Sequence, residues 1–204
     1  MIKVAITGGI GSGKTTLCQH FAQSGVAIYD SDRRAKELMS SDEKLRQLII
    51  ELLGHEAYTP MGLNREYIAQ KIFDNEELRM SLNAIVHPAV LADFERAAAA
   101  QGDVAYVIFE SAILFEAQLE QHFDYTVAVL APQELRLSRV VTRDGCTIQQ
   151  AQARIDSQLS DDELHARASF TVVNIFEGDL EGAAQRLDQQ FKSLARKREE
   201  SPVC

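Results

Sequence analysis

Gly8-Gly9-Ile10-Gly11-Ser12-Gly13-Lys14-Thr15 stands between a short apolar run, Ile2 to Ile6, and a stretch with a helical pattern, Thr16-Leu17-Cys18-Gln19-His20-Phe21-Ala22. The order is strand, glycine-rich loop, helix, and the spacing from Gly8 to Gly13, Lys14 and Thr15 is that of a phosphate-binding loop. Each residue type has a physical reason. Gly8, Gly9, Gly11 and Gly13, with Ser12 between them, let backbone N–H groups turn inward onto phosphate oxygens. Lys14 places a compact cation on the β and γ phosphates, and Thr15 offers its hydroxyl to Mg²⁺. The helix that Thr15 and Thr16 open adds its positive dipole end. The alternative is a glycine-rich turn with a chance match; the strand before it and the helix after it argue against that.

The 204 residues suffice for one nucleotide-binding core with one or two small insertions and are too few for two large domains. With 46% apolar residues the chain can fill a core. The net charge of −9, from 21 basic and 30 acidic residues, repels nucleic acid and anionic membranes, so an anionic ligand must be held by local groups. Cys18, Cys146 and Cys204 are scattered and odd in number, which points to a reducing compartment and away from a zinc site. Met1 leads directly into the first apolar run, and no run approaches the roughly 20 residues of a membrane span. A cytoplasmic protein without a signal peptide is expected, with no nucleic-acid, membrane or obligate protein partner.

Further along, Ser24-Gly25 stops the first helix and Val26 to Tyr29 reads as a second strand. It ends in Asp30-Ser31-Asp32. Ligands sit outside the carboxyl ends of strands in an open parallel sheet, so these carboxylates are candidates for chemistry; each is also a good N-cap for a helix over Arg33 to Met39. Residues 41 to 101 carry the helical period throughout, with no strand signal, and form a helical insertion of the kind that carries a second substrate. Within it, Pro88 removes a backbone donor and predicts a kink that turns the His87 imidazole outward, in a structural or a functional role. Val104 to Phe109 fits a buried parallel strand ending at Glu110, a carboxylate placed either as a Mg²⁺ ligand or as an exposed strand end.

Tyr125 to Leu130 reads as another strand, and Pro132 starts the next helix. There Arg136, Arg139 and Arg143 fall at i, i+3 and i+7, so three guanidinium groups share one face. Either a polyphosphate meets them, as in a lid, or they form a solvated basic face with Glu134 and Asp144 as partners. Asp144-Gly145 breaks that helix and Thr147 caps the next. Phe170 to Val173 reads as the last strand, followed by a terminal helix from Leu180 to about Ala195 and a charged, frayed tail.

Taken together, these residues resemble the dephospho-CoA kinase family over almost the whole chain. The resemblance rests on the phosphate loop, Asp30-Ser31-Asp32 with Ala35 to Leu38, Leu82-Asn83 with His87-Pro88, Leu114-Phe115-Glu116, Arg139 with Arg143-Asp144-Gly145, Arg154 with Gln158, and Asn174, in that order. It implies an α/β, three-layer P-loop NTPase fold with a parallel sheet, a helical acceptor-binding insertion at about 41–101 and a helical lid at about 136–167. The core would be about 1–40, 102–135 and 168–198. It implies ATP and Mg²⁺, dephospho-CoA as acceptor at its ribose 3′-hydroxyl, and CoA and ADP as products. It also implies Asp32 as base, His87, Leu114 and Phe115 as acceptor-site residues, and Lys14, Arg139 and Arg143 on the transferred phosphoryl group. The chain departs from the family pattern at Glu110, usually aspartate, at Ala112, usually proline, at Arg136, commonly glutamine, and at Ala168-Ser169, commonly Ala-Asp.

A GTPase switch would need a guanine-reading Asn-Lys-x-Asp element, which the chain lacks. Kinases of nucleosides or nucleoside monophosphates share the loop and lid logic and are the principal rival. A regulatory protein that holds ATP without transferring phosphate is the rival from another class.

Overall fold

The computed structural model describes residues 1–73, 75–176 and 178–200; Cys204 lies outside them. The elements in chain order are β1 (Ile2–Thr7), α1 (Lys14–Gln23), β2 (Ile28–Asp30), α2 (Ser31–Ser41), α3 (Glu43–Leu53), β3 (Tyr58–Thr59), β4 (Gly62–Leu63), α4 (Arg65–Phe73), α5 (Glu76–Ala99), β5 (Tyr106–Glu110), β6 (Tyr125–Leu130), α6 (Gln133–Asp144), α7 (Ile148–Asp156), α8 (Asp161–Arg167), β7 (Phe170–Val173) and α9 (Asp179–Glu200). They form two compact units, one from Met1–Asp30 with the chain from Gln101 onward, the other Ser31–Ala100.

The first unit is built on a five-stranded sheet ordered β2-β5-β1-β6-β7, with every neighbouring pair parallel. Continuous apolar runs suit a sheet covered on both faces, and Val4, Ala5, Ile6, Ile108 and Val127 are fully buried. Between α1, α9 and the sheet, Phe21, Tyr106, Phe170 and Phe191 form an aromatic cluster with ring centroids 5.3–6.4 Å apart. Strands β6 and β7 fall where their apolar runs place them. The second strand starts at Ile28 and not at Val26, because the Val26 N–H donates to Phe21 O and closes the turn after α1. The terminal helix is not frayed beyond Ala195: it runs to Glu200, and Arg198 donates to Asp124 at 2.7 Å.

Two capping boxes shape the stretch between β6 and β7. Thr147 accepts from the Gln150 N–H at the start of α7, as expected, and Ser160 accepts from the Glu163 N–H at the start of α8. A seven-residue helix depends on its ends, so Ser160→Ala is expected to lower stability by about 1 kcal/mol, read as a lower urea midpoint. An unchanged midpoint would remove this role from the box.

The second unit packs α2, α3 and α4 against α5. Residues 31–40, expected with the core, belong to this unit. Leu38 is buried, and Arg34 donates through Nε and Nη2 to the buried Asp93 carboxylate of α5 at 2.9 and 2.7 Å. The unit also contains a short antiparallel hairpin, β3 with β4, against the expectation of helix alone. Each strand is two residues long, too short to show an alternation. Pro88 does not break α5, which is continuous for 24 residues. The cost of one missing hydrogen bond is outweighed by burial of Leu82, Val86, Val90 and Phe94 on both sides of it.

Candidate active site

The loop Gly8–Gly13 leaves the carboxyl end of β1 and enters α1. Gly13 has φ +105°, a left-handed conformation, and a Cβ there would lie 2.3 Å from Asn174 Nδ2. At Gly9 the demand is steric: a Cβ would stand 2.1 Å from Arg136 Nη2. A loop that turns N–H groups toward an anion turns carbonyls the other way, and those carbonyls need donors. Arg136 Nε donates to Ile10 O at 3.1 Å, Arg139 Nη1 to Gly11 O at 3.2 Å, and Asn174 Nδ2 to Ser12 O at 2.7 Å. The Ile10 N–H donates to Gln158 Oε1 at 2.7 Å. Three consecutive carbonyls are thus held from behind by α6 and by the residue that follows β7. Lys14 Nζ reaches back over the loop to Gly9 O at 3.5 Å.

Parallel register sets Ile6, Glu110 and Asp30 side by side at the carboxyl edge of the sheet. From the first turn of α1 the Thr15 hydroxyl donates to Glu110 Oε1 at 2.7 Å. Two hard oxygen donors therefore converge beside the loop, a set that fits Mg²⁺. No cluster of three His, Cys, Asp or Glu side chains able to hold a metal ion exists among the described residues.

Cys18 lies one turn further along α1. Burial first, and the Glu110 carboxylate second, push its thiol far above the ordinary range. Iodoacetamide at neutral pH is expected to spare Cys18 in the folded protein and to modify it after denaturation, as read by peptide mass mapping. Labelling of native Cys18 would contradict this.

The three arginines of α6 do not act as one basic face, because their guanidinium groups take different partners. Arg136 is buried, Arg139 spans Gly11 O and, at 3.5 Å, Asn174 Oδ1, and the exposed Arg143 pairs with both oxygens of Asp144. The reason is reach: guanidinium groups on long stems go to whichever carbonyl or carboxylate is nearest. Beside Arg139 lies a cavity of about 380 Å³ lined by Gly13, Thr16, His20, Asn174 and Phe176, large enough for a purine base and its ribose.

The family model for dephospho-CoA kinase matches residues 2–178. The chain belongs to the dephospho-CoA kinase family. The dephospho-CoA kinase of Salinibacter ruber is similar, with 41% identity over 177 residues, 85% of this chain and 89% of that one. Among solved structures, TT1252 from Thermus thermophilus superposes with a TM-score of 0.81 at 29% identity, over 93% of this chain and 97% of that one. The dephospho-CoA kinase from Campylobacter jejuni, at 20% identity, shares the fold with a TM-score of 0.68 over 94% and 97% of the two chains. Dephospho-CoA kinases phosphorylate dephospho-CoA with ATP in the last step of CoA biosynthesis, and their fold is that of the P-loop NTPases.

The residues that the dephospho-CoA kinase resemblance assigns to the acceptor are distributed over both units. Asp32 is exposed in the first turn of α2. His87 lies mid-way along α5, and burial pushes its imidazole below the usual value, which favours the neutral form. Leu114 and Phe115 have fully buried side chains; Phe115 O accepts from Arg167, whose guanidinium lies 4.6 Å over the Phe115 ring. The contacts of Gln158 and Asn174 to the loop link positions 148 and 162 residues apart. No local pattern signals them; only their place in the family resemblance marks them. No helix of the described residues is long and apolar enough to cross a membrane.

Proposed function

We propose that this chain transfers the γ-phosphoryl group of ATP to the ribose 3′-hydroxyl of dephospho-CoA, giving CoA and ADP. The observation that carries the reading is a phosphate loop whose carbonyls are tied down from behind, in a chain that matches the dephospho-CoA kinase family over residues 2–178. The 3′-oxygen forms a bond to the γ phosphorus, the bond from that phosphorus to the β–γ bridging oxygen breaks, and the hydroxyl proton passes to Asp32. Little covalent chemistry is needed from the protein, so positioning and charge neutralisation do most of the work.

The loop N–H groups and Lys14 hold the β and γ phosphates, and the cavity beside Asn174 takes the base and ribose of ATP. Thr15 and Glu110 would hold Mg²⁺, which neutralises phosphate charge when bound. Arg139 steadies the loop. Arg143 meets phosphate only by exchanging Asp144 for it, and His87 offers a neutral donor or acceptor to dephospho-CoA. Leu114 and Phe115 serve as the buried floor of the turn after β5, which carries Glu110.

Acceptor-dependent ADP release tests the reading, with dephospho-CoA, adenosine and AMP compared at saturating Mg²⁺ and ATP. Turnover confined to dephospho-CoA is expected. Turnover with adenosine or AMP instead would assign the helical unit to another acceptor, and ATP binding without turnover on any acceptor would make the chain a regulatory nucleotide binder.

A further inference from the structure

Arg136 is the one buried cation among the described residues, at 4% exposure. Burying a guanidinium is costly unless its donors are matched. Here the matching is incomplete. Nε donates to Ile10 O at 3.1 Å and Nη1 to Asp161 Oδ1 at 3.0 Å, while Nη2 is buried with no hydrogen-bond partner. That group lies directly on the backbone of Gly9, where a Cβ would stand 2.1 Å from it. Asp161, the first residue of α8, is the only carboxylate on the guanidinium among the described residues. Burial raises the Asp161 carboxyl above its ordinary range, against the lowering by Arg136. A positive charge is thus fixed behind the loop, with a single carboxylate against it and one donor unmatched.

We propose that Arg136 is a positioning residue for phosphoryl transfer, clamping the phosphate loop to α8 through Ile10 and Asp161 and acting electrostatically through the loop on the polyphosphate bound in front of it. It touches no phosphate. Its effect arises from a fixed shape of Gly9-Ile10 and from a charge in a low-dielectric setting, where fields reach further than in water. The inference rests on the reading of the loop as the ATP site.

The test is calorimetric binding of ATP and of adenosine to the full chain and its variants. R136Q removes the charge, and ATP affinity is expected to fall about tenfold or more, while adenosine, which lacks phosphates, binds as before. R136K keeps the charge without the fork and is expected to recover part of the loss. D161N keeps an acceptor for Nη1 but removes the counter-charge, so ATP binding is expected to tighten while adenosine binding holds; this variant carries the test if R136Q does not fold. Unchanged ATP affinity in R136Q, equal losses for ATP and adenosine, or weaker ATP binding in D161N would each overturn the proposal. Failure of the wild-type chain to bind ATP would overturn the reading of the loop itself, an outcome distinct from wild-type binding that R136Q leaves intact.

Discussion

Asp32→Asn lowers kcat by about 10²- to 10⁴-fold and leaves the affinity for ATP unchanged. The amide keeps the size of the carboxylate and can still accept a hydrogen bond from a hydroxyl. What it cannot do is take the proton as the new oxygen–phosphorus bond forms. Asp32 stands in the first turn of α2, outside the loop that holds the nucleotide, which is why binding of ATP is spared. The measurement is kcat at saturating ATP and dephospho-CoA together with calorimetric binding of ATP. A variant with wild-type kcat would remove Asp32 as the base. Loss of ATP affinity in step with kcat would move it from proton transfer to nucleotide binding.

Lys14→Ala damages binding and turnover together. In the proposed mechanism Lys14 is the cation set on the β and γ phosphates, and the charge on those oxygens is present in the ground state and spreads further as the γ group departs. Loss of one such fixed group from a pre-organised site costs about 10²- to 10³-fold in the chemical step, and ATP affinity falls as well. Lys14→Arg is expected to restore little, because a planar fork does not fit a space shaped for a compact ammonium. Lys14 lies at the start of α1 and is not part of the core cluster, so the thermal midpoint of the alanine variant is expected to hold. Retained ATP affinity in Lys14→Ala would contradict the assignment of the loop.

Legibility in the sequence followed the range of the interaction. The loop and α1 could be read because every requirement, from Gly8 to Thr16, is met within nine consecutive residues. Strands β1, β6 and β7 could be read because a buried parallel strand is a continuous apolar run, and α7 because Thr147 announces its start. Glu110 could be placed at the sheet edge from topology alone, and its hydrogen bond with Thr15 makes that placement concrete.

What could not be read is set by distant partners. Spacing at i, i+3 and i+7 put Arg136, Arg139 and Arg143 on one face. Asp144 is one of the two partners open for that face and does pair with Arg143, but that Arg136 and Arg139 reach Ile10 and Gly11 of the loop is not encoded in the spacing. The same holds for α2, which Arg34 and Leu38 tie into the helical unit, and for α5, where tertiary burial overrides the local veto of Pro88.

The position of the new phosphate separates a 3′-hydroxyl kinase from the rival activities. The chain is incubated with Mg²⁺, ATP and dephospho-CoA, the product is isolated and weighed by mass spectrometry, and a portion is treated with a 3′-nucleotidase. The expected product is one phosphoryl group heavier than dephospho-CoA, identical to CoA, and returned to dephospho-CoA by the nucleotidase. A product resistant to the nucleotidase, or ADP formed with dephospho-CoA unchanged, would contradict 3′-phosphorylation.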